Sequence, residues 1–232
     1  MARGSQLAFT FRSWGGKRTG AGRPPKGNAA GVSHLRRQTL SRHHPVHVTL
    51  RITAGVPSLR DGRLFDEVRR ALAAGRERFG FRLVHFSVLS NHLHLIAEAR
   101  DRRALALGMQ GLSIRVARAV NRALARRGRL FADRYHCRAL KTPRAVHFAV
   151  RYVLLNARKH RVVAAGFVDS CSSAPWFSDF QRPDELAFGA AQARARWRAS
   201  SGVESPVVLA QTWLLREGWR RWGGFDVDEV PG

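Results

Sequence analysis

From Pro45 onward the chain switches between period-two and helical patterns of apolar residues. Val46-His47-Val48-Thr49-Leu50-Arg51-Ile52 alternates apolar and polar positions and is rich in β-branched residues, which predicts a strand. A turn over Pro57 to Gly62 leads to Leu64, Phe65, Val68 and Leu72, an amphipathic helix with Gly80 as its expected stop. Phe81 to Leu89 reads as a second strand, Ser90-Asn91 as a tight connection, and His92 to Ala99 as a third strand that closes a hairpin. Arg102 to about Arg127 carries an apolar stripe of Leu105, Met109, Leu112, Val116 and Val120, and Gly128 ends it. Leu130 to Leu140, containing Tyr135, predicts a fourth strand. Pro143 suits a first helical turn, and the helix runs through Val146, Ala149, Val150, Val153 and Leu154 to about His160.

The order β-α-β-β-α-β followed by a further helix predicts an α+β fold, a ferredoxin-like antiparallel sheet with two helices on one face. His92 and His94 then stand on a sheet strand, and the additional helix has to lie against the open face to bring Tyr152 to them. Residues 1–44 lack apolar periodicity and are rich in Gly, Arg and Pro, which predicts a flexible basic arm. Within the arm, the run from Gly20 to Gly27 is an extended basic segment around Arg23-Pro24, similar to a minor-groove hook. Residues 45–168 form the expected domain, and 169–232 a loop-rich extension. That extension has a short helix over Pro183 to Arg198 and a basic tail with Trp213, Trp219, Arg220, Arg221 and Trp222.

Charge narrows the class of partner. The net charge is +25, and only four of the 41 basic residues are lysine. Arginine favours bidentate phosphate contacts and stacking on bases, so a polyanion is the leading partner, held with strong salt dependence. A GC-rich genome explains arginine over lysine but not the shortage of acids. Cys137 and Cys171 form no CxxC pair, so a disulfide framework or structural zinc is not expected. Neither a membrane-spanning run nor a signal-peptide core is present in the sequence, which predicts a soluble intracellular protein.

The chemistry concentrates in Asn91-His92-Leu93-His94-Leu95-Ile96 and, about sixty residues later, Tyr152-Val153-Leu154-Leu155-Asn156. A His-apolar-His triplet on a strand puts both imidazoles on one face. Tyr152 and Asn156 are i and i+4, so phenol and amide share one face of a helix. Two imidazoles with an amide oxygen suit Mg²⁺ or Mn²⁺ better than tetrahedral zinc, and a phenol beside them suits attack on a phosphodiester. Glu98 shares the strand face and reads as a solvated strand-end carboxylate or an outer-shell base. The chain has two tyrosines. Tyr135 reads as a packing or backbone-contacting residue, and Tyr152 as the nucleophile.

These motifs, Asn-His-x-His with an apolar run and then Tyr-x-x-x-Asn near a helix end, resemble the single-tyrosine HUH transposases, and among them the REP-associated tyrosine transposases. Leu130-Phe131-Ala132-Asp133-Arg134-Tyr135 is similar to the segment preceding the catalytic helix of that family, and the resemblance covers roughly residues 45–168. The sequence departs from the family pattern after Asn156, where Ala157-Arg158-Lys159 follows in place of the frequent Asn-Pro.

The resemblance implies a magnesium- or manganese-dependent nuclease acting on single-stranded or hairpin DNA. His92, His94 and Asn156 take the metal-ligand positions, and Tyr152 the nucleophile position. Attack leaves a 5′-phosphotyrosine link and a free 3′-hydroxyl, and reversal rejoins strands without ATP. Arg23, Arg134, Arg138, Arg151, Arg220 and Arg221 are the expected DNA contacts. The protein would act as a monomer or homodimer in the bacterial cytoplasm, at the nucleoid. Two rivals stand beside this reading: a degenerate, non-catalytic nucleic-acid-binding protein, and a hydrolase in which water attacks.

Overall fold

The computed structural model describes residues 39–181 and 183–231, with side chains of 183–188 excepted. The basic arm up to residue 38, Arg23 included, lies outside the described residues. Five strands make one sheet of mixed α/β architecture: β1 (Val46–Arg51), β2 (Glu77–Arg78), β3 (Phe81–Val88), β4 (His92–Ala99) and β5 (His136–Ala139), in the order β2-β3-β4-β1-β5. Every pairing is antiparallel. The helices are α1 (Gly62–Ala74), α2 (Arg102–Ala123), α3 (Pro143–Lys159), α4 (Pro183–Ser201) and the single turn α5 (Trp213–Arg216). Among the described residues, no helix is long and apolar enough to cross a membrane.

Side-chain alternation along β4 divides the molecule into two cores. Leu93, Leu95 and Ala97 point to one face, where they join Leu64, Val68 and Leu72 of α1 and Met109, Leu112 and Val116 of α2. Ile96 points to the other face and packs with Val146, Val150, Val153 and Leu154 of α3. The helix carrying Tyr152 therefore covers the face opposite α1 and α2, on the side of His92 and His94. α2 and α3 each begin on a side-chain cap. Asp101 accepts from Ala104 N at 2.8 Å, and Thr142 accepts from Ala145 N at 3.1 Å with Pro143 in the first turn.

Two boundaries differ from the sequence expectation. α1 ends at Gly75, where a Cβ would lie 2.7 Å from Leu112 Cδ1, and not at Gly80. Gly80 (φ 77°) instead joins Phe79 (φ 55°) as the two-residue turn of the β2–β3 hairpin, in which Arg78 pairs with Phe81. Two consecutive residues with positive φ match the right-handed twist of a hairpin. The fourth predicted strand shortens to His136–Ala139, leaving Tyr135 just outside it. Its ladder on β1 runs to the Thr49–His136 pair and resumes only at an isolated bridge from Ile52 to Phe131. That is three positions along one chain and five along the other, so the ladder cannot stay in register.

The segment after residue 168 is woven into both cores. The Arg60 guanidinium donates to both carboxylate oxygens of Asp169, at 2.7 and 3.0 Å, and to Val88 O at 2.9 Å. Val88 N donates to Cys171 O, and Ser173 N to Phe86 O, both at 2.9 Å. Further on, Leu214, Leu215, Trp219, Phe225 and Val227 close over α3, with the Trp219 and Phe225 rings stacked at 4.8 Å. α3 is thus held between the sheet and the C-terminal chain.

Candidate active site

Register brings the polar residues of three strands to the face beneath α3. His94 pairs with Thr49 of β1 and Ser87 of β3, His92 with Arg51, and Thr49 in turn with His136 of β5. Cross-strand partners share a face, so the histidine pair of β4 lies among polar side chains although most of its neighbours on that strand are apolar. The His92 and His94 rings are 4.8 Å apart, centroid to centroid. His94 is buried and His92 half-buried.

α3 supplies the other half. Tyr152, Asn156 and His160 follow one another at i, i+4 and i+8. The Tyr152 ring lies 5.1 Å from that of His94, edge-on, and the His160 ring 6.2 Å from that of His92. Asn156 lies between them on the same helical face. It is fully buried, and neither its Oδ1 nor its Nδ2 has a hydrogen-bond partner. A buried amide left unsatisfied costs about 1–3 kcal/mol, an expense that a ligand at this place would offset.

The imidazole hydrogen bonds fit a cation site. Asn91 Oδ1 lies 2.7 Å from His92 Nδ1 and can only accept, which puts the proton on Nδ1 and leaves Nε2 as a lone pair. His94 Nδ1 lies 3.2 Å from both Thr49 Oγ1 and His47 Nε2. With a proton there it donates to that pair, and the buried Nε2, which has no partner, keeps its lone pair. A metal-binding histidine commonly has its second nitrogen anchored in this way. Burial, then the nearby His47, His92 and His160, pushes the His94 pKa down to about 3, so the ring is neutral as a ligand must be. His92 is lowered as well, by burial first and then by His160 and Arg51. Among the described residues no three His, Cys, Asp or Glu side chains form a metal-holding group. Besides the two imidazoles, the Asn156 amide oxygen is an unpartnered buried donor atom on the facing helix.

No protein-family model and no curated protein matches the chain. One solved structure that does is titled "Structure of the REP associates tyrosine transposase bound to a REP hairpin". It is 16% identical, with a TM-score of 0.46 over 57% of this chain and 76% of that chain. The likeness is a distant structural relationship.

Beside Tyr152 a cleft of about 530 Å³ is lined by His47, Arg138, Thr142, Arg144 and Phe148 among others. Lys159 Nζ lies 5.4 Å from the centre of the Tyr152 ring, which keeps positive charge near the phenol. The expected DNA contacts are distributed unevenly. Arg138 is exposed on β5 at this cleft, and Arg134 is exposed before β5. Arg151 donates to Glu229 at 2.9 Å, and Arg220 pairs with Asp179 at 2.9 Å. The Arg221 guanidinium lies 5.0 Å over the ring of Trp213.

Sequence reasoning passed over His47, Thr49, Lys159 and His160. The first two were signalled by parity, since His47, Thr49 and Arg51 alternate on β1, the strand that pairs with β4. Glu98 has a different role from either expectation. It is buried, and its carboxylate accepts from Gln211 N at 2.9 and 3.0 Å and from Thr212 N at 2.7 Å, tying the C-terminal chain to β4.

Proposed function

We propose that this chain is a metal-dependent single-stranded DNA endonuclease and strand transferase. It cleaves and rejoins DNA through a covalent 5′-phosphotyrosine at Tyr152, at hairpin-associated sequences, and its core is a ferredoxin-like plait. The observation that carries this reading is the convergence of Tyr152, His92 and His94 from two elements far apart in sequence, with the unpartnered Asn156 amide on the helical face of Tyr152 and an arginine-lined cleft beside them.

When bound, Mg²⁺ or Mn²⁺ held by His92, His94 and Asn156 supplies positive charge to the scissile phosphate. The chain's own residues do the rest. His47 and Thr49 hold the His94 ring in place through its Nδ1, and the Asn91 amide oxygen accepts from His92 Nδ1. The phenol gives up its proton as it attacks, and the Lys159 ammonium lies 5.4 Å from the centre of its ring. The Tyr152 oxygen bonds to phosphorus as the P–O3′ bond breaks, and the departing 3′ oxygen takes up a proton. Bond energy is kept in the phosphotyrosine, so attack by a 3′-hydroxyl restores a phosphodiester and frees the phenol. Arg138 and Arg144 orient the strand by its phosphates.

Cleavage of hairpin-bearing single strands in Mn²⁺ tests the reading. Tyr152→Phe is expected to abolish it while leaving DNA affinity intact. Cleavage that survives in Tyr152→Phe makes the protein a hydrolase with water as nucleophile. Tight binding with no cleavage of any strand makes it a non-catalytic binding protein.

A further inference from the structure

The tail treats its neighbouring tryptophans in opposite ways. Within the turn Gly218–Trp222, Trp219 is 2% exposed in the second core, while Trp222 is 50% exposed. Trp222 does not stand alone. Its ring lies 6.5 Å from that of Phe148, which is itself 41% exposed and sits one helical turn before Tyr152 on α3. The Arg144 guanidinium lies 5.3 Å from the centre of the Trp222 ring and 5.7 Å from that of Phe148. Arg151, anchored on Glu229, lies 5.1 Å from the Phe148 ring.

This is a strip of exposed aromatic faces interleaved with guanidinium groups, and it begins at the cleft that Phe148 shares with Tyr152. Two large exposed rings side by side form an apolar patch, which is more informative than a single exposed ring. Nucleobases stack on aromatic faces whatever their sequence, and arginine both stacks and pairs with phosphate. Complementary charge favours the same occupant, because the chain carries a net +25. A duplex keeps its bases stacked inside and has none to offer such a strip.

We infer that Phe148 and Trp222, with Arg144 at their faces, form a stacking platform for unpaired bases of a DNA strand whose backbone enters the cleft at Tyr152. The platform selects single-stranded segments flanking a stem and guides them to the phenol. This inference rests on the reading of Tyr152 as a DNA nucleophile, but binding alone measures it.

The test uses the full chain in the Tyr152→Phe background, without divalent metal, and titrates it into fluorescently labelled DNA. Phe148→Ala and Trp222→Ala should each weaken binding of a single strand by about five-fold or more. Binding of a blunt duplex of the same length should change by less than two-fold. Phe148→Leu and Trp222→Leu keep apolar bulk, so an equal loss in these variants at unchanged thermal stability traces the effect to the flat ring. An oligonucleotide with abasic sites in the flank should bind the unsubstituted platform as weakly as intact DNA binds the variants. Unchanged single-strand affinity in folded variants, or equal losses on duplex and single strand, would overturn the inference. Ring variants that lose single-strand affinity, when the protein with Tyr152 intact never cleaves in Mn²⁺, would uphold the platform and remove the nuclease reading. Cleavage in Mn²⁺ by the ring variants with Tyr152 intact, at unaltered binding, would do the reverse.

Discussion

The ring of Tyr152 meets the ring of His94 edge-on, 5.1 Å from centroid to centroid at an interplanar angle of 85°. The two belong to different elements, and the contact exists because α3 is clamped between β4 and the C-terminal chain. A phenol held at a neutral, hydrogen-bonded imidazole has a fixed position before any substrate arrives, which is the kind of preorganisation that covalent catalysis needs.

Asn156 offers a separation of stability from function. Its buried amide has no partner, so Asn156→Leu, close in volume, should hold or raise the metal-free stability by about 1 kcal/mol. The same variant should lose the stabilisation that Mn²⁺ gives the parent, which at a hundred-fold excess over Kd amounts to about 2.7 kcal/mol. Thermal unfolding with and without Mn²⁺ measures both. A variant still stabilised by Mn²⁺ as the parent is would exclude Asn156 as a ligand.

Glu98 is the anchor of the tail. Hydrogen bonds to a buried charged group contribute about 1.5–3 kcal/mol each, and this carboxylate accepts from two backbone amides, Gln211 and Thr212. Glu98→Gln keeps one accepting oxygen and should cost about 2 kcal/mol in urea unfolding. Loss of DNA cleavage at full stability in this variant would instead point to Glu98 as part of the chemistry.

Acid should unfold the protein through its histidines. Burial foremost holds His47 and His85 down to about 4, and His94 down to about 3. Each pKa is depressed in the folded state, so the unfolded chain binds protons first as pH falls through the ordinary histidine range near 6.5. Stability is therefore complete above that range, declines below it, and is fully lost from these groups once the pH passes their folded values. His85, beside Ser173 and Phe177 and away from the histidine pair, isolates the effect. His85→Gln should flatten the pH dependence of urea midpoints between pH 6.5 and 4 by about one proton's slope, whereas a variant with the parent's slope would show that His85 charges freely in the fold.

Much of the site could be read from local pattern. The parity of His92 and His94 and the i, i+4 spacing of Tyr152 and Asn156 are properties of single elements, and the amphipathic stripe of α3 required a second apolar face. What escaped the sequence depends on partners distant along the chain. His47 and Thr49 matter only because β1 lies beside β4, in a register that sets Thr49 opposite His94. Gly80 was the expected stop of α1, yet the helix ends at Gly75, where Leu112 leaves no room for a side chain, a contact that periodicity does not encode. Glu98 looked solvated because the chain that covers it arrives more than a hundred residues later. The apolar residues of the tail are spaced irregularly through a basic stretch, so no period marks out the core they complete around Trp219 and Phe225.

The most direct test of the account is to trap the covalent link. Full-length protein would be incubated with Mn²⁺ and a 5′- or 3′-labelled single strand carrying a hairpin, denatured, and resolved on a gel. The adduct would then be digested for mass spectrometry. The account predicts a protein–DNA band that retains label only from the 3′ side of the cut, a nucleotide 5′-phosphate on the peptide containing Tyr152, and no band in Tyr152→Phe or His92→Ala. Cleaved DNA with no adduct, or an adduct that persists in Tyr152→Phe, would contradict it.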